Sequence, residues 1–419
     1  MAENTPDPYV DLYARRTAGM SASEVRALFA VASRPEVISL AGGMPFVQAL
    51  PREHILEVVT KVITERGDLA LQYGGGVGHL GLRERLADLL NGEGIAADPG
   101  SIVITMGGQQ ALDIIGRIFI DPGDQIAVEA PSYVGALSAF SAYEPEFLQV
   151  PLDDEGMIVD ELEAHLRGGV RPAFVYTVPN FHNPAGVTMS LARREQLVAV
   201  CRDAGIPIIE DDPYRALRFD GDPIPALRTL DPANVIYLSS LSKVFAAGIR
   251  IGYVTAEPSV LQRFLPAKEA ADLCPSNLSQ LIAEEYLSDE RWEANLQTLI
   301  DIYRERRDAC LAALAEHFPT DATWTHPSGG FYVWATLPDV FDTARMLPTA
   351  VERRVAYVPG TAFYPDGSGA NRLRLAYCYP DAADVAEGVR RLSGLLNDEE
   401  SARAAATVPG AVPGRAAGS

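Results

Sequence analysis

The segment NVIYLSSLSKVFAAGIRIGYVTA, residues 234–256, decides how the rest of the chain is read. An apolar, β-branched run breaks at a serine-rich turn that holds one lysine, Lys243, and IRIGYVTA follows as a second run. A strand that stops on Ser239-Ser240-Leu241-Ser242-Lys243 brings hydroxyls, backbone N–H groups and an amine to one point, and Arg250 adds a second cation. Such a set is suited to a phosphate. A lysine desolvated there can lose its proton and attack an aldehyde. A solvated loop lysine is the plainer alternative, and this segment alone weighs the two evenly.

Outward from this segment, SIVIT (101–105), QIAVE (125–129), AFVYTV (173–178) and IPIIE (206–210) repeat the same texture, each bounded by Gly, Pro or Asp. Short continuous apolar runs suit strands buried on both faces. Between them Leu112, Ile115 and Phe119 fall on one helical face, as do Leu82, Leu86, Leu89 and Leu90 upstream. Strand–helix alternation predicts an α/β fold: a large domain whose mostly parallel central sheet is flanked by helices. Past Asp289 the texture changes. A long helical stretch over residues 290–317 leads to GGFYVWATL (329–337), RVAYVP (354–359) and RLRLAYCY (372–379). A closing helix carries Val385, Val389, Leu392 and Leu396, so a smaller α+β domain is expected there.

The expected division is residues 1–45 as N-terminal arm and part of the small domain, 46–295 as the large domain, 296–397 as the small domain and 398–419 as a disordered tail. Within the first part, helical patterning runs from Leu12 to Arg34 and a short strand, Val37–Leu40, ends at Ala41-Gly42-Gly43. The tail is small residues with Pro and Gly and almost nothing to bury.

A length of 419 residues fits two or three domains, or one large domain with a smaller companion. Thirty-five basic against 56 acidic side chains leave a net charge of −21, which repels phosphate backbones and anionic lipid, so neither nucleic acid nor membrane is an expected partner. The four cysteines are dispersed with no metal-type spacing, so no metal is expected and a reducing compartment is. With no signal-peptide pattern and no run long enough to span a bilayer, the expected location is cytoplasmic.

Three more strand ends carry chemistry. Glu210-Asp211-Asp212-Pro213-Tyr214 puts carboxylates where an open α/β sheet binds ligands, although a helix cap or an acidic loop would use the same residues. Asn180-Phe181-His182-Asn183-Pro184-Ala185-Gly186 reads by itself as a turn. Thr105-Met106-Gly107-Gly108-Gln109-Gln110 is a Gly-rich turn whose N–H groups are placed for an anion at a helix start.

Taken in order, with Tyr133 in EAPSYVG between them, these pieces resemble the fold-type I pyridoxal-phosphate enzymes. Specifically they resemble class I/II aminotransferases of the 2-aminoadipate/kynurenine type; MocR-type regulators share the pattern. The resemblance runs from about Leu12 to Leu396 and includes ISLAGGMP, LQYGGGVGHLGLRERLA and RLRLAY. It implies pyridoxal 5′-phosphate held as an aldimine by Lys243, Asp211 against the pyridine nitrogen, Asn183 and Tyr214 on the phenolic oxygen, and Tyr133 stacked on the ring. It implies a phosphate held by Gly108, Gln109, Ser240, Ser242 and Arg250, with Tyr73 reaching across a homodimer interface. Arg374 would clamp the substrate carboxylate, with Asn183 also on the substrate and Gly42 and Gly43 near the side-chain pocket, where a bare backbone allows close approach. A strand arginine paired to a surface carboxylate is its plainer alternative. Against the family pattern, Gly108 stands where Ser is usual, Ala185 where Thr is usual and Ala247 where Pro is common; the last predicts a looser loop around Arg250.

The implied activity is ping-pong transfer of an amino group from an amino acid to a 2-oxo acid. The alternative on the same scaffold is elimination, replacement, carbon–carbon bond formation or oxidation in a specialised biosynthetic pathway. A regulator of the MocR type would need a DNA-binding domain, and the roughly forty residues before Ala41 hold no helix-turn-helix pattern. The sequence places no residue for the substrate's side chain: His79, His182, Tyr13, Phe29 and Phe46 are candidates.

Overall fold

The structure is a computed structural model that describes residues 7–19, 34 and 36–407. Its centre is an eight-stranded sheet, in the order β2-β9-β8-β7-β6-β3-β4-β5. The strands are β2 (Ile102–Thr105), β3 (Gln125–Ala130), β4 (Glu146–Asp153), β5 (Gly156–Met157), β6 (Val175–Thr177), β7 (Ile208–Asp211), β8 (Val235–Ser240) and β9 (Gly252–Thr255). Neighbours β8, β7, β6, β3 and β4 run parallel, with Ile208 opposite Val235 and Val175 opposite Ile208. Strand β9 is antiparallel to both β8 and β2, so β2 points the same way as the parallel set.

The two-sided burial expected of these runs is visible within β7. Ile208 packs with Leu197, Val198 and Leu162 on one face, while Ile209 packs with Ile115, Phe140 and Phe174 on the other. All four residues of β7 are buried, and so are all six of β8. Local signals fix the flanking helices: Leu191–Ala204 starts at Ser190, whose hydroxyl accepts from the Arg193 N–H, and ends at Gly205 with φ +67°.

Four of the remaining strands form an antiparallel sheet, β10-β11-β14-β13, from Thr323–Trp324, Tyr332–Thr336, Arg372–Ala376 and Val358–Pro359. Strand β1 (Ile38–Ser39) pairs in parallel with β12 (Val355–Ala356), which ties the N-terminal part of the chain to this second layer. The helix Arg291–His317 runs against the closing helix Ala382–Thr407, whose Val385, Val389, Leu392 and Leu396 are fully or almost fully buried. That closing helix continues to Thr407, so residues 398–407 are helical and not part of a disordered tail; residues 408–419 lie outside the described residues. Of the helix expected over 12–34, residues 15–19 form a 3₁₀ turn and 20–33 lie outside the described residues.

Strands β4 and β5 have no counterpart in the sequence reading. EFLQVPLD is half-exposed, with acidic ends and Pro151, and lacks the continuous apolar run that marks the interior strands. It lies next to the outermost strand of the sheet, where β5 pairs with it antiparallel.

Candidate active site

Five strand ends open on the same side of the sheet, because β2, β3, β6, β7 and β8 share one direction. There they deliver the Met106–Gly108 turn, Tyr133, Asn183, Asp211 and the Ser240–Lys243 turn to one cavity of about 440 Å³. Its wall also includes Gly43, Gln109, Tyr214, Arg250, Tyr332 and Arg374. The position follows the rule that open α/β sheets bind ligands beyond the carboxyl ends of their strands.

One end of the cavity is built for an anion. Gly107 has φ +76°, and a Cβ there would lie 2.2 Å from Arg250 Nη2, so only glycine lets the turn pass the guanidinium. Gly108 begins the helix Gly108–Phe119, and space for a Cβ on it is open. The missing hydroxyl at this position therefore reflects no steric exclusion. Arg250, at φ +55°, donates to Ser242 Oγ (3.3 Å), the Ala247 carbonyl (3.1 Å) and the Met106 carbonyl (3.3 Å). Those three bonds hold the guanidinium although Ala247 stands in place of a proline. Ser240 Oγ donates to Ser242 Oγ at 2.8 Å, and Gln109 donates to the Gly135 carbonyl at 2.7 Å. Helix N–H groups, hydroxyls and one arginine are the donor set of a phosphate site.

Lys243 Nζ donates to the Gly43 carbonyl at 3.1 Å and lies 5.6 Å from the Phe331 ring centroid. Burial pushes its ammonium down to about 8, and the charges of Arg374 and Arg250 push the same way. Near neutral pH the amine is thus mostly protonated, with a neutral fraction far larger than that of an ordinary lysine. Asp211 is the opposite case. Burial lifts its carboxyl to about 7, while the Tyr176 hydroxyl, donating to Oδ2 at 2.8 Å, pulls it back. A buried carboxylate held this high is short of a cation, and a protonated ring nitrogen would supply one.

The neighbouring acids face elsewhere, as the two-residue period of a strand requires. Glu210 accepts from the Leu227 and Arg228 N–H groups at 2.9 and 2.8 Å, capping a short helix. Asp212 accepts from Asn180 Nδ2 at 2.9 Å, and Asn180 Oδ1 accepts from fully buried Arg194 at 2.8 Å. This chain pins the end of β7 to the loop that carries Asn183.

Arg374, 3% exposed, sits in the middle of β14. It donates to Asn183 Oδ1 at 2.9 Å and to the Ala41 carbonyl at 2.6 Å, and its Nε, fully buried, has no partner. The ring faces of Tyr332 and Phe363 lie 4.3 and 5.0 Å from its Cζ. A buried guanidinium with an unused donor is suited to a carboxylate. With the anion end and Asp211, it completes a donor set that fits pyridoxal 5′-phosphate and an amino acid.

Two of the expected residues do not line the cavity. Gly42 stands one residue behind the wall, where its carbonyl meets Cys378 Sγ at 3.5 Å, and Gly43 takes the facing position. Tyr73 is 77% exposed and away from the cavity of its own chain. Among the side-chain candidates, His79 pairs with Glu284 and Phe46 stacks under Arg306 at 3.9 Å. His182 is buried and does not line the cavity. Its Nδ1 accepts from the Ala185 N–H at 3.1 Å, and its Nε2 lies 3.0 Å from Glu129 Oε2. Tyr13 is 55% exposed, and Phe29 lies outside the described residues. The sequence reading missed Tyr332 and Tyr176. Tyr332 sits within the GGFYVWATL strand, and Tyr176 is fully buried inside β6. Tyr332 opens its strand just after the Gly329-Gly330 bend, but as an aromatic in an apolar run it carries no polar signal of its own.

Comparison with known proteins matches this geometry. The model of the family aminotransferase class I and II covers residues 36–392. The aromatic-amino-acid aminotransferase 1 of Thermococcus litoralis is 43% identical over 93% of this chain and 95% of its own. The 2-aminoadipate transaminase of Thermus thermophilus is 38% identical over 93% and 98%. Among solved structures, the kynurenine aminotransferase of Pyrococcus horikoshii in complex with PMP superposes with a TM-score of 0.89 at 41% identity, over 93% of this chain and 98% of that one. The chain belongs to the class I and II aminotransferases, enzymes that move an amino group between an amino acid and a 2-oxo acid on pyridoxal 5′-phosphate.

Proposed function

We propose that this aminotransferase acts on amino acids with aromatic, branched or 2-aminoadipate-like side chains, with Lys243 as its base and Arg374 as its carboxylate clamp. The observation that carries the site assignment is a buried, weakly basic lysine in the same cavity as Asp211, Arg250 and an Arg374 with an unused donor. The substrate class is supported by the names of the relatives, and within it the cavity's cations favour the uncharged side chains. Lys243, Arg250 and Arg374 are the basic residues on its wall, and each has a role already.

Pyridoxal phosphate supplies an aldehyde that accepts the amino group and a ring that takes up the electrons left at Cα. Everything else falls to side chains. Ser240, Ser242, Arg250, Gln109 and the Gly108 N–H anchor the phosphate. Asp211, steadied by Tyr176, keeps the ring nitrogen protonated. Tyr133 would stack on the ring. Asn183 and Tyr214 would hydrogen-bond its phenolic oxygen; burial pushes the Tyr214 hydroxyl well above the ordinary tyrosine range, so it stays a donor. Arg374 fixes the carboxylate and with it the direction of the Cα–H bond. Lys243 Nζ, when neutral, removes that proton.

The domain division at about residues 45 and 295 belongs to the same proposal. So does a cytoplasmic homodimer in which Tyr73 reaches the partner's phosphate. The exposure of Tyr73 beside Leu71 (74%) and Leu69 (42%) supports a covered surface there. Among the described residues no helix is long and apolar enough to cross a membrane. Sedimentation should give twice the chain mass; a monomer carrying full activity would remove the role of Tyr73.

The deciding experiment is the visible spectrum of the holoenzyme with single amino acids and no oxo acid. The proposal expects the yellow band to bleach with stoichiometric 2-oxo acid, for aromatic, branched or 2-aminoadipate donors before aspartate. Release of ammonia instead would overturn amino transfer.

Two further results are expected. Because the folded-state ammonium of Lys243 titrates at about 8, the fraction of neutral amine rises with pH through that value. The rate at which apoenzyme captures pyridoxal phosphate should therefore climb between about pH 7 and 9 and then level off. Stopped-flow absorbance checks it, and a rate flat across that range contradicts the assignment. Tyr176→Phe removes the donor that favours ionised Asp211, and affinity for pyridoxamine phosphate should fall about tenfold. Equilibrium dialysis of that ligand, which forms no bond to Lys243, measures the effect alone.

A further inference from the structure

Tyr332 is a cavity residue to which the preceding reading gives no task, yet it touches three groups that have one. It lies in β11, paired with Ala376 of β14, and is 2% exposed. Its hydroxyl is 3.3 Å from the Tyr214 hydroxyl. Its ring face meets Arg374, with Cζ 4.3 Å from the ring centroid. Its Oη also lies against the bare backbone of Gly43: a Cβ there would come within 1.9 Å of it. The carbonyl of that same glycine receives Lys243 Nζ.

A buried tyrosine hydroxyl needs a partner, and here the partner is another hydroxyl. In such a pair one oxygen donates and the other accepts, which leaves one proton to be given elsewhere. If Tyr214 gives its proton to the cofactor's phenolic oxygen, Tyr332 is the hydroxyl that donates to Tyr214 Oη. Hydrogen bonds in a chain polarise one another, so this second donor strengthens the first. The ring acts separately. An arginine over an aromatic face is held by both electrostatics and dispersion, which orients its fork.

Building on the proposed roles of Tyr214 and Arg374, we propose that Tyr332 is a double positioning residue: its hydroxyl reinforces Tyr214 toward the cofactor's phenolic oxygen, and its ring seats Arg374 for the substrate carboxylate. The two tasks use different atoms of one side chain and can be separated by substitution.

Tyr332→Phe deletes the hydroxyl and keeps the platform. Weaker donation to the phenolic oxygen leaves that oxygen richer in electrons and a better acceptor for the proton it shares with the Lys243-linked nitrogen. The pH midpoint of the holoenzyme's visible absorbance should rise by about 0.5 unit, with KM for the amino acid within about twofold of wild type. Tyr332→Met fills much of the volume without a ring, and there KM should rise about tenfold more than in Tyr332→Phe. A midpoint unmoved in Tyr332→Phe overturns the hydroxyl's role, and equal KM values in the two variants overturn the platform. Should Tyr332→Met not fold, as read by circular dichroism, Tyr332→Leu takes its place, and a KM equal to that of Tyr332→Phe overturns the platform. The wild-type titration run in parallel keeps the two readings apart, since a wild-type holoenzyme with no visible band would refute Lys243 itself.

Discussion

Lys243→Ala is expected to reduce turnover by about 10³–10⁴-fold while leaving the protein folded and able to bind pyridoxamine phosphate. The side chain contributes one hydrogen bond, to the Gly43 carbonyl, so its loss leaves little unsatisfied. Its contribution is chemical. Burial holds its amine near the edge of protonation, at about 8, where it can both attack an aldehyde and take up a proton from carbon. Removing it abolishes covalent capture of the aldehyde and leaves only water to move the Cα proton. Small amines added to the variant enter the space it leaves, and partial rescue by methylamine at high pH should follow. Single-turnover kinetics with a labelled amino acid measures the loss. Wild-type turnover in Lys243→Ala would end the assignment of the whole site.

The anchor of the phosphate, the lysine and the acid were legible because each sits where a buried strand ends. An apolar run such as VIYL or PIIE is recognisable, and whatever polar residue follows it is delivered to the ligand side. For the same reason Asp211 could be singled out of EDD only by the resemblance. The strand period that turns Glu210 and Asp212 away depends on the register of β7, which two flanking acids conceal. Gly42 and Gly43 show the same one-residue limit, since two adjacent glycines carry no pattern that tells which faces the cavity. Tyr332 and Tyr176 were illegible for another reason. Aromatic residues in an apolar strand read as core, and both are core by burial. Only contact reveals that their hydroxyls end against Tyr214 and Asp211. Strand β4 escaped because half-exposed strands near a sheet edge need no continuous apolar run.

Arg374→Ala should raise KM for the amino acid by about 10²-fold or more while cofactor affinity stays close to wild type. The asymmetry follows from what the guanidinium touches. It reaches Asn183 Oδ1 and the Ala41 carbonyl, and it leaves Nε free, but it makes no contact with Ser240, Ser242 or the Gly108 turn. The cofactor's phosphate therefore keeps all its donors. A substrate carboxylate loses a buried, charge-assisted partner that no neighbour replaces, because Arg250 is committed to the Met106, Ala247 and Ser242 contacts. Arg374→Lys tests whether charge or shape matters. Lysine keeps the charge, but it lacks the planar fork and is a poor substitute over the Tyr332 and Phe363 rings, so most of the KM penalty should remain. Steady-state kinetics and titration with pyridoxamine phosphate, run on both variants, separate the outcomes. Loss of cofactor with an unchanged KM would move Arg374 from the substrate to the cofactor. Full recovery in Arg374→Lys would mean that the buried fork is not what reads the carboxylate.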